Sequence, residues 1–194
     1  MNEMRKVGLV NRQARDRVPV GWLRRVAEGA VRELKIREAG VFSIAFVDER
    51  TMRRLNRQFM GHKGLTDVLS FRYLSKGRTP GRVQGSGAKV QGKHASVDAE
   101  EMIGEIVVSP AFARSYAKAH GLSYRQELAR YVIHGLLHWV GYDDRTPAQQ
   151  RRMQQMEDRL LAQRATAWGS SKLEVRSSKM VGSTLRTPNS ELRA

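Results

Sequence analysis

Two histidines four residues apart, His134 and His138, are the side chains of this sequence best spaced to do chemistry. On a helix, residues at i and i+4 project from one face on successive turns, so both rings can grip a single metal ion. The spacing by itself is weak, because five histidines in 194 residues give such a pair by chance in about one chain in eight. Two histidines on a half-buried helix face would look the same. The context adds weight: the pair sits in HGLLHWVGYDD, where Gly141 can end the helix in a left-handed conformation. The returning chain would then bring Asp143 or Asp144 to the open side of the two rings. Two imidazoles and a carboxylate leave a coordination position for water, as a catalytic rather than a closed structural site requires. The residue after the first histidine is Gly135, so the glutamate base of an H-E-x-x-H metalloprotease helix is missing and proteolysis by that route is disfavoured.

Composition limits the alternatives. The chain has no cysteine, which excludes disulfides, thiolate metal sites and a cysteine nucleophile, and leaves metal to histidine and carboxylate. Thirty-five Lys and Arg against 19 Asp and Glu give a net charge of +16, which favours polyanionic partners, nucleic acid before acidic membranes. The segment 166–194 accounts for a net +3 and the Gly-rich stretch 76–101 for +2, so about +11 belongs to the remainder. No signal-peptide core and no long apolar run is present, so the expectation is a cytoplasmic protein with no membrane contact.

The elements that must position these residues can be read from periodicity. Val7 to Val10, Val41 to Val47, Val68 to Tyr73 and Ile103 to Val108 read as strands. A helix opens at Pro19, with Leu23, Val26, Ala27, Ala30, Val31 and Leu34 at helical spacing. Asp48 reads as the N-cap of a second helix, with Met52, Leu55 and Phe59 on one face and Arg50, Arg53, Arg54 and Arg57 on the other. Ser109-Pro110 opens a third helix ending near His120-Gly121, and Ser123 caps the fourth, which carries the histidines. Thr146-Pro147 opens a fifth, where Met153, Met156 and Leu160 share a face. Residues 1–165 thus read as one domain, interrupted by a mobile Gly-rich insertion over 76–101 and followed by a disordered basic tail over 166–194.

Three ordered blocks resemble the YbeY family of rRNA maturation endoribonucleases. The family signature is approximately H-G-x-L-H-L-x-G-Y-D-H, matched by His134, Gly135, Leu137, His138, Gly141, Tyr142 and Asp143. Asp144 stands in the place of a third metal-ligating histidine. The run LNRQFMGHKGLTDVLSF is similar to a second block, through Leu55, Asn56, Thr66, Asp67, Val68, Leu69, Ser70 and Phe71. Met60 there occupies the place of an active-site Arg, and Leu65 that of a Pro. Gly104-Glu105-Ile106 matches a third short block, and the likeness spans roughly residues 5 to 164.

The resemblance implies an α+β, zincin-like single domain, with a small mixed sheet of about four strands packed with about five helices. It implies a metal-dependent endoribonuclease that cuts single-stranded RNA, with one divalent ion, Zn2+ first, held by catalytic residues His134, His138 and Asp144. The family's setting adds maturation of the 16S rRNA 3′ end, ribosome quality control, and the small ribosomal subunit and the GTPase Era as partners, with no DNA substrate. Aspartate in place of histidine makes the site harder and more anionic, and lowers the Lewis acidity of the ion. The cation missing at Met60 could be supplied by Arg57 or Lys63. The arginine stripe Arg50, Arg53, Arg54 and Arg57, with Lys63, is the expected RNA contact near the cleft, although such stripes are as often solvated helix faces. Thr66 and Asp67 read as turn or strand-capping residues, and Glu127 as too distant from His134 to support it. Met60 and Asp144 also motivate a second expectation, a ribosome-assembly RNA-binding factor with weak or lost nuclease activity. A third is a metal-dependent hydrolase with another substrate.

Overall fold

The computed structural model of the chain describes residues 6–73 and 102–166, and the expected insertion and tail lie outside them except for Thr166, which ends the last helix. Four strands and five helices follow one another as β1 (Lys6–Asn11), α1 (Val20–Glu33), β2 (Val41–Phe46), α2 (Glu49–Met60), β3 (Val68–Arg72), β4 (Met102–Val108), α3 (Pro110–His120), α4 (Tyr124–Val140) and α5 (Pro147–Thr166). Each lies within a residue or two of its sequence expectation, because each carries its own start and stop signals. The Asp48, Ser109 and Ser123 side chains accept hydrogen bonds from Thr51, Phe112 and Gln126 backbone N–H groups. Gly61, Gly121 and Gly141 close α2, α3 and α4 with positive φ.

The sheet order is β1-β2-β4-β3. Strands β1, β2 and β4 run parallel, and β3 pairs antiparallel with β4 through Val68 to Val108 and Arg72 to Gly104. The alternation of side chains across the pleat divides the apolar residues between two faces. Phe42, Ile44, Phe46, Val68, Ile106 and Val108 join the larger core built with α1, α4 and α5. Ala45, Val47, Leu69, Phe71 and Val107 face the other way and receive α2 through Met52, Leu55, Phe59 and Met60. The two helices of greatest functional interest, α2 and α4, therefore lie on opposite faces of the sheet.

Close approach of α4 to the sheet explains the glycine after the first histidine. A Cβ on Gly135 would lie 2.7 Å from Ile106 Cγ2 and 2.9 Å from Val68 Cγ2. The same contact lets the Ser70 hydroxyl of β3 donate to the Gly135 carbonyl at 3.1 Å. No side chain fits at position 135, so the missing protease glutamate has a packing cause.

Candidate metal centre

His134 and His138 lie on consecutive turns of α4, with their Nε2 atoms 3.0 Å apart. Gly141, at φ 108°, ends the helix: its N–H reaches the His138 carbonyl, and the Tyr142 N–H reaches that of Leu137. The chain that turns back places Asp144 Oδ2 at 3.9 Å from both Nε2 atoms. Of the two candidate aspartates, Asp144 faces the rings. Asp143 is occupied by Arg145, whose Nε donates to Oδ2 at 2.6 Å, and by the Asp144 N–H. That pairing with Arg145 holds the Asp143 carboxyl below its ordinary range.

The three donor atoms fit one ion. Ligands about 2.0–2.1 Å from a tetrahedral zinc stand roughly 3.3–3.4 Å from each other, and the observed separations of 3.0, 3.9 and 3.9 Å bracket that spacing. The chemistry of the rings fits as well. Each Nδ1 faces an acceptor, the Glu157 carboxylate at 2.8 Å for His134 and the Tyr142 carbonyl at 3.0 Å for His138. Both Nδ1 atoms therefore donate outward, and both Nε2 atoms face inward, where a metal ion would replace the proton that the two nitrogens share at 3.0 Å. His134, His138 and Asp144 form a group able to hold a metal ion.

The two rings have different electrostatic surroundings. Burial disfavours the charged form of His134, but the hydrogen bond and charge of Glu157 outweigh it and push the group up to about 9. His138 is held below its ordinary value by burial and by the charge of His134. Asp67, at the start of β3, adds negative potential at both rings. Its Oδ1 accepts from the Val68 N–H at 2.8 Å and the Thr66 hydroxyl at 3.0 Å, the capping role expected of these residues.

Glu157 of α5 is not legible as a site residue by motif, yet it is buried at 3% exposure and shared between His134 and Arg130. Arg130 also meets Asp158 at 2.9 Å and Glu127 at 3.8 Å. Glu127 stands beside Arg130, about two turns from His134 as the spacing predicts, and joins the network at the guanidinium. A signal was present: Glu157 falls on the Met153, Met156 and Leu160 stripe, and Glu127, Arg130, His134 and His138 share one face at helical spacing.

The arginine stripe is not beside the metal centre. With the apolar face of α2 seated on the sheet, Arg50, Arg53, Arg54 and Arg57 are exposed on the far side, around an open hollow that Glu49 and Gln58 complete. Arg53 approaches Glu49 at 3.9 Å. Lys63 is exposed in the loop between α2 and β3, which Asn56 ties to Gly64 with a 2.9 Å hydrogen bond and whose end, Asp67, borders the histidines. The expectation of a stripe near the cleft fails because α2 and α4 occupy opposite faces of the sheet.

Residues 10–165 match the family profile described as Endoribonuclease YbeY. The chain belongs to that family. YbeY endoribonucleases of known sequence agree with it along most of its length. The Salinibacter ruber protein is 40% identical over 119 residues, 61% of this chain and 67% of the relative. The Salinispora tropica protein is 34% identical over 148 residues, 76% of this chain and 86% of the relative. A Myxococcus xanthus YbeY is 35% identical over 136 residues, 69% of this chain, which spans only 40% of that longer protein. The solution structure of a Thermotoga maritima protein superimposes with a TM-score of 0.50 at 18% identity, covering 93% of this chain and all of that one, and shows the fold alone. Four mixed strands and five helices are therefore a YbeY fold, and the family's enzymes are nucleases that hydrolyse RNA phosphodiester bonds.

Proposed function

We propose that this YbeY protein is a metal-dependent endoribonuclease acting on single-stranded RNA, with one divalent ion, Zn2+ first, held by His134, His138 and Asp144. The observation that carries the proposal is the convergence of these three side chains, each histidine fixed through Nδ1 so that Nε2 is presented to a common point. An ion held there would supply positive charge that makes water more acidic and offsets developing phosphoryl charge. Asp144 brings the negative charge and stays partly exposed at 26%. Lys63 and the arginines of α2 attract the phosphate backbone, a sequence-independent attraction that weakens as salt rises. The domain responsible is the one spanning residues 1–165. Its finer setting, in the cytoplasm, is maturation of the 16S rRNA 3′ end and ribosome quality control, with the small subunit and Era as partners.

Metal analysis combined with cleavage of a labelled single-stranded RNA tests the proposal. Stoichiometric metal in the wild type, lost together with cleavage in His138→Ala, is the expected result; unchanged cleavage by that variant would refute it. A second reading, an RNA-binding assembly factor without turnover, is favoured by Met60, an apolar residue of the α2 cluster where the family motif has Arg. It requires RNA binding that survives His134→Ala and no metal-dependent cleavage by the wild type.

A further inference from the structure

We infer that Glu157, clamped by Arg130, is the positioning residue that sets the His134 imidazole for metal binding. The inference rests on the reading of His134, His138 and Asp144 as a metal centre, and extends it to α5. Glu157 is a buried carboxylate with both oxygens committed: Oε1 to His134 Nδ1 at 2.8 Å, and Oε2 to the Arg130 guanidinium at 2.9 Å. An ionised carboxylate only accepts, so it holds a proton on Nδ1 and leaves Nε2 as the nitrogen that faces Asp144 and His138 and can exchange its proton for an ion. It also locks the ring, because a half-turn would carry Nδ1 away from the carboxylate and Nε2 away from the centre.

The two histidines are held unequally. The acceptor at His138 is a neutral backbone carbonyl from the turn that follows α4, whereas the acceptor at His134 is an anion from another helix. A carboxylate on Nδ1 makes Nε2 the better donor, so His134 is the stronger of the two nitrogen ligands. The clamp also carries surplus negative charge: Glu127, Glu157 and Asp158 surround the single guanidinium of Arg130. Of these three carboxylates it is Glu157 that reaches a histidine, while Asp158 holds the guanidinium without touching either ring.

The consequence is a link between α5 and metal affinity, although α5 carries none of the three ligands. The test measures Zn2+ affinity by competition with a chromophoric chelator for the wild type, Glu157→Gln, Glu157→Ala and Asp158→Asn. The His134 ring nitrogens of the zinc-loaded proteins are read in parallel by 15N NMR. Glu157→Ala is expected to weaken Zn2+ binding about 10- to 100-fold and to let the His134 ring reorient, so that Nε2 is no longer its single zinc-binding nitrogen. Glu157→Gln keeps an acceptor of the same shape without the charge, so it should fold, hold the ring and reduce affinity by a smaller factor. Asp158→Asn perturbs the same arginine without touching His134 and should change neither readout. Wild-type affinity in both Glu157 variants overturns the inference, as does an equal loss in Asp158→Asn. A wild type that binds no Zn2+ overturns the metal centre and this inference together, whereas a wild type that binds it, beside an indifferent Glu157→Ala, overturns this inference alone.

Discussion

Gly135→Ala sets two opposed effects against each other at a single atom. In the interior of a helix, alanine is favoured over glycine by about 0.8–1 kcal/mol. The added Cβ, however, would stand 2.7 Å from Ile106 Cγ2, 2.9 Å from Val68 Cγ2 and 3.1 Å from Ile106 Cδ1. Ile106 is fully buried and Val68 nearly so, both on paired strands, so neither can turn aside without opening the sheet. Overpacking of this kind costs about 1–3 kcal/mol. Backing α4 away to relieve it stretches the 3.1 Å bond from the Ser70 hydroxyl to the Gly135 carbonyl, worth about 0.5–1.5 kcal/mol. The balance is a net destabilisation of about 0.5–3.5 kcal/mol, read in urea unfolding as a lower midpoint at unchanged slope. In an Ile106→Ala background the nearest obstacle is gone, and the same substitution should cost at least about 1 kcal/mol less. If Gly135→Ala is as stable as the wild type, helix propensity decides and the close approach of α4 to the sheet is not the reason for glycine in the motif. An equal cost in both backgrounds would sink the argument from Ile106.

Other expectations follow from individual interactions. The Asp48 carboxylate caps α2 and is held below its ordinary value of 3.8 chiefly by the Thr51 N–H. Its contribution is therefore present above pH 3.8 and disappears as pH falls through the lowered folded value. Asp48→Ala should cost about 1 kcal/mol near neutrality, and the gap from the wild type should close in unfolding measured on descent below about pH 4; a gap independent of pH would refute the charged cap. Reversing Arg53 and Arg54 to glutamate should flatten the dependence of log RNA affinity on log salt by about 0.7 for each phosphate no longer neutralised, and an unchanged slope would leave the stripe a solvated face. A Cβ on Gly104 would land on the indole nitrogen of Trp139 and 2.8 Å from Phe42 Cε2, displacing the ring from its hydrogen bond to the Ile103 carbonyl. Gly104→Ala should then destabilise by at least about 2 kcal/mol and shift the tryptophan emission; a wild-type spectrum and midpoint would contradict the packing.

The secondary structure is legible in the sequence because each element is punctuated locally. Asp48, Ser109 and Ser123 cap helices with their own side chains, and Gly61, Gly121 and Gly141 terminate them with a backbone conformation that suits glycine. Sheet order is a different kind of fact. That β4 inserts between β2 and β3, and that α2 and α4 fall on opposite faces, depends on packing between residues remote in sequence. Periodicity assigns the correct apolar face to α2, but it carries no information about which side of the sheet that face will cover. The arginine stripe is therefore exposed as expected, but on the other side of the sheet from α4.

The same boundary divides the metal centre. His134, His138 and Asp144 lie within one helix and its terminal turn, so spacing and the left-handed glycine bring them within reach without reference to the rest of the fold. Glu157 reaches His134 across 23 residues and an interhelical packing contact, and motif spacing cannot express that. Its trace in the sequence is of another type, an acidic residue on the apolar stripe of α5, where burial without a partner would be prohibitive. A charged residue at such a position implies a buried counter-charge or donor elsewhere in the chain. Here Arg130 and His134 answer that implication on one face of α4. The anomaly on α5 and the ligand spacing on α4 are thus two views of one network, and the helix that carries none of the three ligands helps to orient one of them.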